Sequence, residues 1–213
     1  MTGRHLRMRC GLLGLAIALG GCVYSVESVI TESGATFDPR LLDAWEEVGG
    51  SDRAVVTRSA RNGYAIEYVS GDTVRYEARL GGLGDRLILD VAVPPEDESP
   101  TPSGEPPIAW HLAFALDIGK DEVRVALIDG DSLTAAIRAG RVRLAAHGRA
   151  AFCPGKCAPA ELILDSTTED LRAALGPYLA NAGALEPPSV FRRAPRARNA
   201  APAPPTDAAP WTR

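Results

Sequence analysis

The sequence predicts a mainly β (α+β) domain, an antiparallel meander that curls into a small barrel or half-barrel and carries two to three helices. Three observations predict it. Apolar and polar residues alternate with period two in short runs, as where Val74, Tyr76, Ala78 and Leu80 face Thr73, Arg75, Glu77 and Arg79. Turn signals separate the runs, including Asn62-Gly63 between 54–59 and 64–70. A chain of such hairpins has bare edges, which it hides by curling or closing on itself. With 213 residues, 46% hydrophobic and 23% charged, the chain is long enough for one ordinary domain plus tails.

The N-terminus comes first in order. Residues 1–9 are basic and residues 11–19, "GLLGLAIAL", are apolar. That is the order of a secretory signal, and the run is shorter than the roughly 20 residues of a membrane-spanning helix. Leu19-Gly20-Gly21-Cys22 follows. These four residues resemble the lipobox of bacterial lipoprotein signal peptides, a Leu-like residue and two small residues before a Cys. The resemblance implies cleavage after residue 21, acylation of Cys22, and membrane attachment through its acyl chains. Two or three chains give stable anchoring where one does not. Val23 stands where some lipoproteins carry an inner-membrane retention Asp, which favours the periplasmic face of the outer membrane. Without residues 1–21 the chain has 20 basic and 27 acidic residues, net −7. An acidic body does not suggest a nucleic-acid binder, since phosphate contacts need clustered Lys and Arg, and no nucleic-acid partner is expected.

Residues 22–37 read as the lipidated Cys and a tether, residues 38–193 as the domain, and 194–213, rich in Ala, Pro and Arg, as a disordered tail. "DPRLLDAWEE" (38–47) predicts a short helix with Asp38 as N-cap and Pro39 at its first position. Strands are expected at 54–59, 64–70, 73–80 and 86–93, with "GGLGD" as the turn before the last. The Pro-rich acidic stretch 94–107 reads as an exposed loop. Strands at 110–118 and 122–128 flank Gly119-Lys120-Asp121. A helix at 132–140 is capped by Asp129 or Asp131. Strands at 141–146 and 160–165 bracket a cysteine-bearing loop. Ser166-Thr167-Thr168-Glu169 has capping-box spacing before a helix at 170–180, which Gly176-Pro177 should break or kink. A last strand is expected at 189–194. From "LLDAW" through "ARLGGLGDRLILDV" and "HLAFALDI" to "STTEDLRAAL", the order resembles a group of bacterial lipocalin-like lipoproteins. The resemblance implies a lipocalin-like barrel over roughly 38–193, with Asp43-Ala44-Trp45 where lipocalins carry Gly-x-Trp.

Cys153-Pro154-Gly155-Lys156-Cys157 is the sharpest internal motif. After export its two thiols can close a small disulfide around a Pro-Gly turn. A copper or redox site with His147 or His111 is the rival, and free thiols the third reading. If 110–118 is a strand, His111 faces away from Leu112, Phe114 and Leu116. No Gly-x-Ser-x-Gly elbow and no spaced His/Asp/Glu metal set is present, so hydrolase chemistry has no support and no metal or other cofactor is implied. The expected function is binding by a lipid-anchored, non-enzymatic envelope protein. The partner is an apolar small ligand in the barrel or another envelope component. The alternative is a structural or assembly partner with a side-chain-filled barrel, and copper or redox handling through Cys153 and Cys157 comes third. Val74, Tyr76, Leu87, Leu89, Phe114, Leu116, Val123 and Val125 are the expected inward residues.

Overall fold

A computed structural model describes residues 22–60, 62–94, 110–149 and 161–195. The 1–21 segment, most of the Pro-rich stretch, Cys153 and Cys157, and the tail beyond 195 lie outside the described residues. Among the described residues, twelve strands and two α-helices follow one another. They are β1 (Val23–Ser25), β2 (Ala35–Thr36), β3 (Asp43–Glu47), β4 (Arg53–Arg58), β5 (Tyr64–Ser70), β6 (Asp72–Leu83), β7 (Arg86–Val93), β8 (Trp110–Ile118) and β9 (Glu122–Leu127). Then come α1 (Gly130–Arg138), β10 (Ala146–Arg149), β11 (Glu161–Leu164), α2 (Thr168–Leu179) and β12 (Ser189–Arg193).

Eight of these strands close an antiparallel barrel. β3 to β9 pair each with the next, and β12 completes the ring by pairing with both β9 and β3. Closure removes the bare edges that a seven-strand meander would leave. The alternating runs fix which face turns inward. Trp45, Tyr64, Tyr68, Tyr76, Val91, Leu112, Phe114, Val123 and Phe191 form one buried cluster inside the barrel. The opposite face of β6–β8 is also apolar at Leu83, Ile88 and Ala115, and there the helices pack. Leu133 of α1 and Leu171, Leu175 and Leu179 of α2 are fully buried in this second core.

The helices are capped by side chains. Asp129 Oδ1 accepts from Ser132 N at 2.7 Å, and Thr167 Oγ1 accepts from Asp170 N at 3.2 Å. Pro177 does not break α2, because it sits in the last turn, where few hydrogen bonds remain to be lost. Asn181 Nδ2 donates to the carbonyls of Pro177 and Tyr178 and finishes the helix. Gly176 has a packing role instead. A Cβ on Gly84 would lie 2.8 Å from the Gly176 carbonyl oxygen, so the β6–β7 turn and α2 meet backbone to backbone. Gly84 also has φ +61°, which favours glycine.

Four expectations are corrected. Residues 38–47 are not a helix: a single 3-10 turn at Pro39–Leu41 gives way to β3. Asp38 and Pro39 start the turn as expected, but pairing with β4 and β12 and burial of Trp45 outweigh local helix preference. Residues 23–36 are not a tether. β1 pairs with β8 and, in parallel, with β11, and Val29 and Ile30 are 1% and 0% exposed. Gly81-Gly82-Leu83 extends β6, so the turn shrinks to Gly84-Asp85. The strand expected at 141–146 begins only at Ala146.

Candidate functional site

The barrel interior encloses an apolar cavity. Period-two alternation on eight strands sends side chains to the axis, where they leave a cavity of about 100 Å3. Of the eight expected inward residues, Tyr76, Leu89, Phe114, Leu116, Val123 and Val125 line this cavity. Val74 and Leu87 pack against the same cluster. Trp45, Tyr68, Tyr76, Phe114 and Phe191 fill much of the bore. The space that remains is slender. An apolar cavity of about 150 Å3 takes one benzene, and drug-sized ligands need roughly 300 Å3 or more.

One end of the bore is stopped. The 3-10 turn drives Leu41 into it, and Trp45 Nε1 donates to the Leu41 carbonyl at 2.8 Å. The Arg193 guanidinium lies 4.7 Å from the Trp45 ring centroid and bonds Asp43 at 2.5 Å. Arg40 donates to the Ile118 carbonyl at 3.0 Å. Phe37 stacks on Tyr64 at 5.2 Å, with Arg58 4.4 Å from the Phe37 centroid.

The opposite end, the mouth, carries acids. The Tyr68 ring lines the bore and its hydroxyl donates to the buried carboxylate of Asp52. Burial pushes the Tyr68 phenol up from its ordinary range, and the neighbouring charges of Asp52 and Glu47 push the same way. Glu47 Oε1 accepts from Ser189 Oγ at 3.1 Å.

A second polar cluster lies outside the barrel. Asp90 is 3% exposed on the outer face of β7. Its Oδ2 accepts from Val29 N at 2.6 Å, Ile30 N at 3.0 Å and Ser28 Oγ at 2.6 Å, and its Oδ1 lies 2.8 Å from His111 Nδ1. His111 faces away from the bore, as the alternation predicts. Serine, histidine and aspartate meet here, but not as a catalytic triad. A triad serine bonds the histidine that takes its proton, whereas here Ser28 and His111 each bond Asp90. The cluster straps residues 28–30 to the barrel. Thr168 and Arg172 of α2 reinforce it by donating to the carbonyls of Ser28 and Val29 at 2.7 and 2.9 Å.

Cys22 is half-buried against the barrel-interior cluster, and its carbonyl accepts from Leu162 N at 3.0 Å. His147 pairs with Ile163 through the β10–β11 ladder. Cys153 and Cys157 lie outside the described residues.

No family model, curated protein or solved structure matches this chain. Its geometry is the guide to its function. Among the described residues no helix is long and apolar enough to cross a membrane, and no three His, Cys, Asp or Glu side chains gather where they could hold a metal ion. Sequence reasoning missed Asp90, Asp52 and Glu47. The signal for Asp90 was present: an acid inside the apolar run "RLILDVAV", on a strand buried on both faces, needs partners. Asp52 and Glu47 sit beside an ordinary glycine turn and carry no such signal.

Proposed function

We propose that this is a lipid-anchored, non-enzymatic cell-envelope protein whose barrel binds one slender apolar group. The observation that carries the reading is the bore: walled by apolar side chains, stopped at one end by Leu41, and left with a cavity of about 100 Å3. Such a space suits a slender alkyl segment and is too small for a benzene-sized ring or a sterol. Support for the anchor comes from Leu19-Gly20-Gly21-Cys22. Because Cys22 leads straight into β1, acyl chains on it would hold the barrel against the bilayer with no reach. Val23 favours the outer membrane's periplasmic face as the address.

The second reading, a filled barrel serving as an assembly partner, draws on the five aromatic side chains in the bore. Against it, the exposed large apolar side chains among the described residues are Val48 and Val55, too little for an apolar docking face. Native mass spectrometry of the protein taken from its own envelope tests the choice. A retained small apolar molecule supports the binder, and repeated absence of one supports the filled barrel. Cys22→Ser should abolish labelling by a fatty-acid probe, and unchanged labelling would refute the anchor.

A further inference from the structure

The barrel axis is electrically polarised, and this narrows the ligand. Strand parity decides which charged residues turn inward. On the eight barrel strands the inward positions hold two cations, Arg58 and Arg193, and both sit at the stopped end. Arg193 is already engaged there by Asp43 and by the Trp45 ring. At the mouth the inward parity holds acids. Glu47 lies two residues beyond Trp45 on β3, and Asp72 two residues before Val74 on β6. Asp52 reaches the hydroxyl of the bore-lining Tyr68. The nearby Arg53 belongs to the outward parity and pairs with Glu46 outside the barrel.

Leu41 and Trp45 occupy one end of the bore, so an apolar arm would enter from the opposite end. Its head group is then left among Glu47, Asp52 and Asp72. We infer that the bore takes an amphiphile with a single slender alkyl arm and a cationic head, and rejects the corresponding carboxylate. A cationic head gains attraction in this partly desolvated mouth, and an anionic head meets like charge. This inference rests on the bore-binding reading above.

The test titrates octylamine, octanol and octanoate at neutral pH into the full 213-residue chain, made cell-free without membranes so that it stays unacylated. Calorimetry reads the affinity, and a shift in tryptophan emission that is lost in Trp45→Phe, a bore-lining position, reports the site. Octylamine should bind on the order of tenfold more tightly than octanol, and octanoate more weakly than octanol. Asp52→Asn should bring the amine-to-alcohol ratio towards one. If that variant fails to fold, Glu47→Gln with Asp72→Asn serves, since both lie nearer the surface. Octanoate binding as well as octylamine, or amine and alcohol binding alike, would overturn the inference and leave the binder standing. Binding of none of the three would overturn the binder itself.

Discussion

Replacing Asp90 by Ala should loosen the whole N-terminal strap. The carboxylate accepts from two buried backbone N–H groups, Val29 at 2.6 Å and Ile30 at 3.0 Å, and contacts Ser28 and His111. Alanine supplies no acceptor, and the site is shut from water, with Val29 and Ile30 at 1% and 0% exposure. Val29 N–H is orphaned at about 1–3 kcal/mol, and Ile30 N–H falls back on its longer 3.3 Å bond to Ser28 Oγ at a cost of about 1 kcal/mol, so the change costs about 2–4 kcal/mol, centred near 3. For a domain of this size that lowers Tm by about 6–12 °C. Asp90→Asn keeps one acceptor oxygen and loses only the charge assistance, so it should cost about 1–2 kcal/mol. Thermal unfolding by circular dichroism reads the order wild type, Asn, Ala. Hydrogen exchange should accelerate first at the amides of Val29 and Ile30. An Ala variant within about 1 kcal/mol of wild type would refute the claim that Asp90 holds the strap.

Three more outcomes are expected. Burial raises the Glu186 pKa, with Asp129 and Asp131 adding like charge, so the folded state holds that proton more tightly than the unfolded chain does. Stability is then lost as pH rises from the unfolded value through the folded one; Glu186→Gln should raise Tm at pH 7.5 and not at pH 4, and an equal shift at both refutes it. Gly84→Ala combines φ +61° with a 2.8 Å approach to Gly176 and should cost more than about 2 kcal/mol in chemical denaturation. Gly49→Ala, at φ +83° with nothing within 4 Å, should cost about 1–2 kcal/mol, and equal costs would discount the turn–helix contact. Val125→Phe enlarges a bore-lining side chain, so it should keep the β-sheet dichroism at a cost of about 1–3 kcal/mol and abolish octanol binding; undiminished binding would place the ligand elsewhere.

The barrel was legible because its signal is local and repeated. Strands β4, β6 and β9 carry period-two alternation, which gives their inward residues without knowledge of the pairing, while β7 and β8 are buried on both faces because the outer core covers them. The N-terminal segment was not legible. Val29 and Ile30 sit among Ser, Glu, Thr and Gly and look like linker; their burial depends on Asp90, some sixty residues away. Residues 38–47 misled for the opposite reason. Asp38-Pro39 is a true start signal for a helical turn, but what ends the turn is Trp45, which is buried only once β12 and β4 flank it. The bore's lining was readable, while its small volume was not, because volume depends on how Trp45, Tyr68, Phe114 and Phe191 interdigitate from four strands.

The two polar clusters have different standing because of where each is buried. Asp90 spends its oxygens on the backbone N–H groups and the Ser28 hydroxyl of the strap and on His111 of β8, so little of its hydrogen-bonding capacity is left for a substrate. Its position outside the barrel, under residues 28–30, also gives it no connection with the bore. Glu47 and Asp52 instead stand at the bore's end, where the apolar wall stops and an occupant's head must come to rest. Each is held by one hydroxyl, that of Ser189 or of Tyr68, and a carboxylate has about four acceptor sites. The same residue type therefore fastens the fold at one place and can select a ligand at the other. Dissociation rates separate the two roles. Asp90→Asn should change unfolding and leave octylamine release unchanged, whereas Glu47→Gln should speed release with little effect on Tm. If both variants alter release alike, strap and bore are coupled, and the division drawn between them fails.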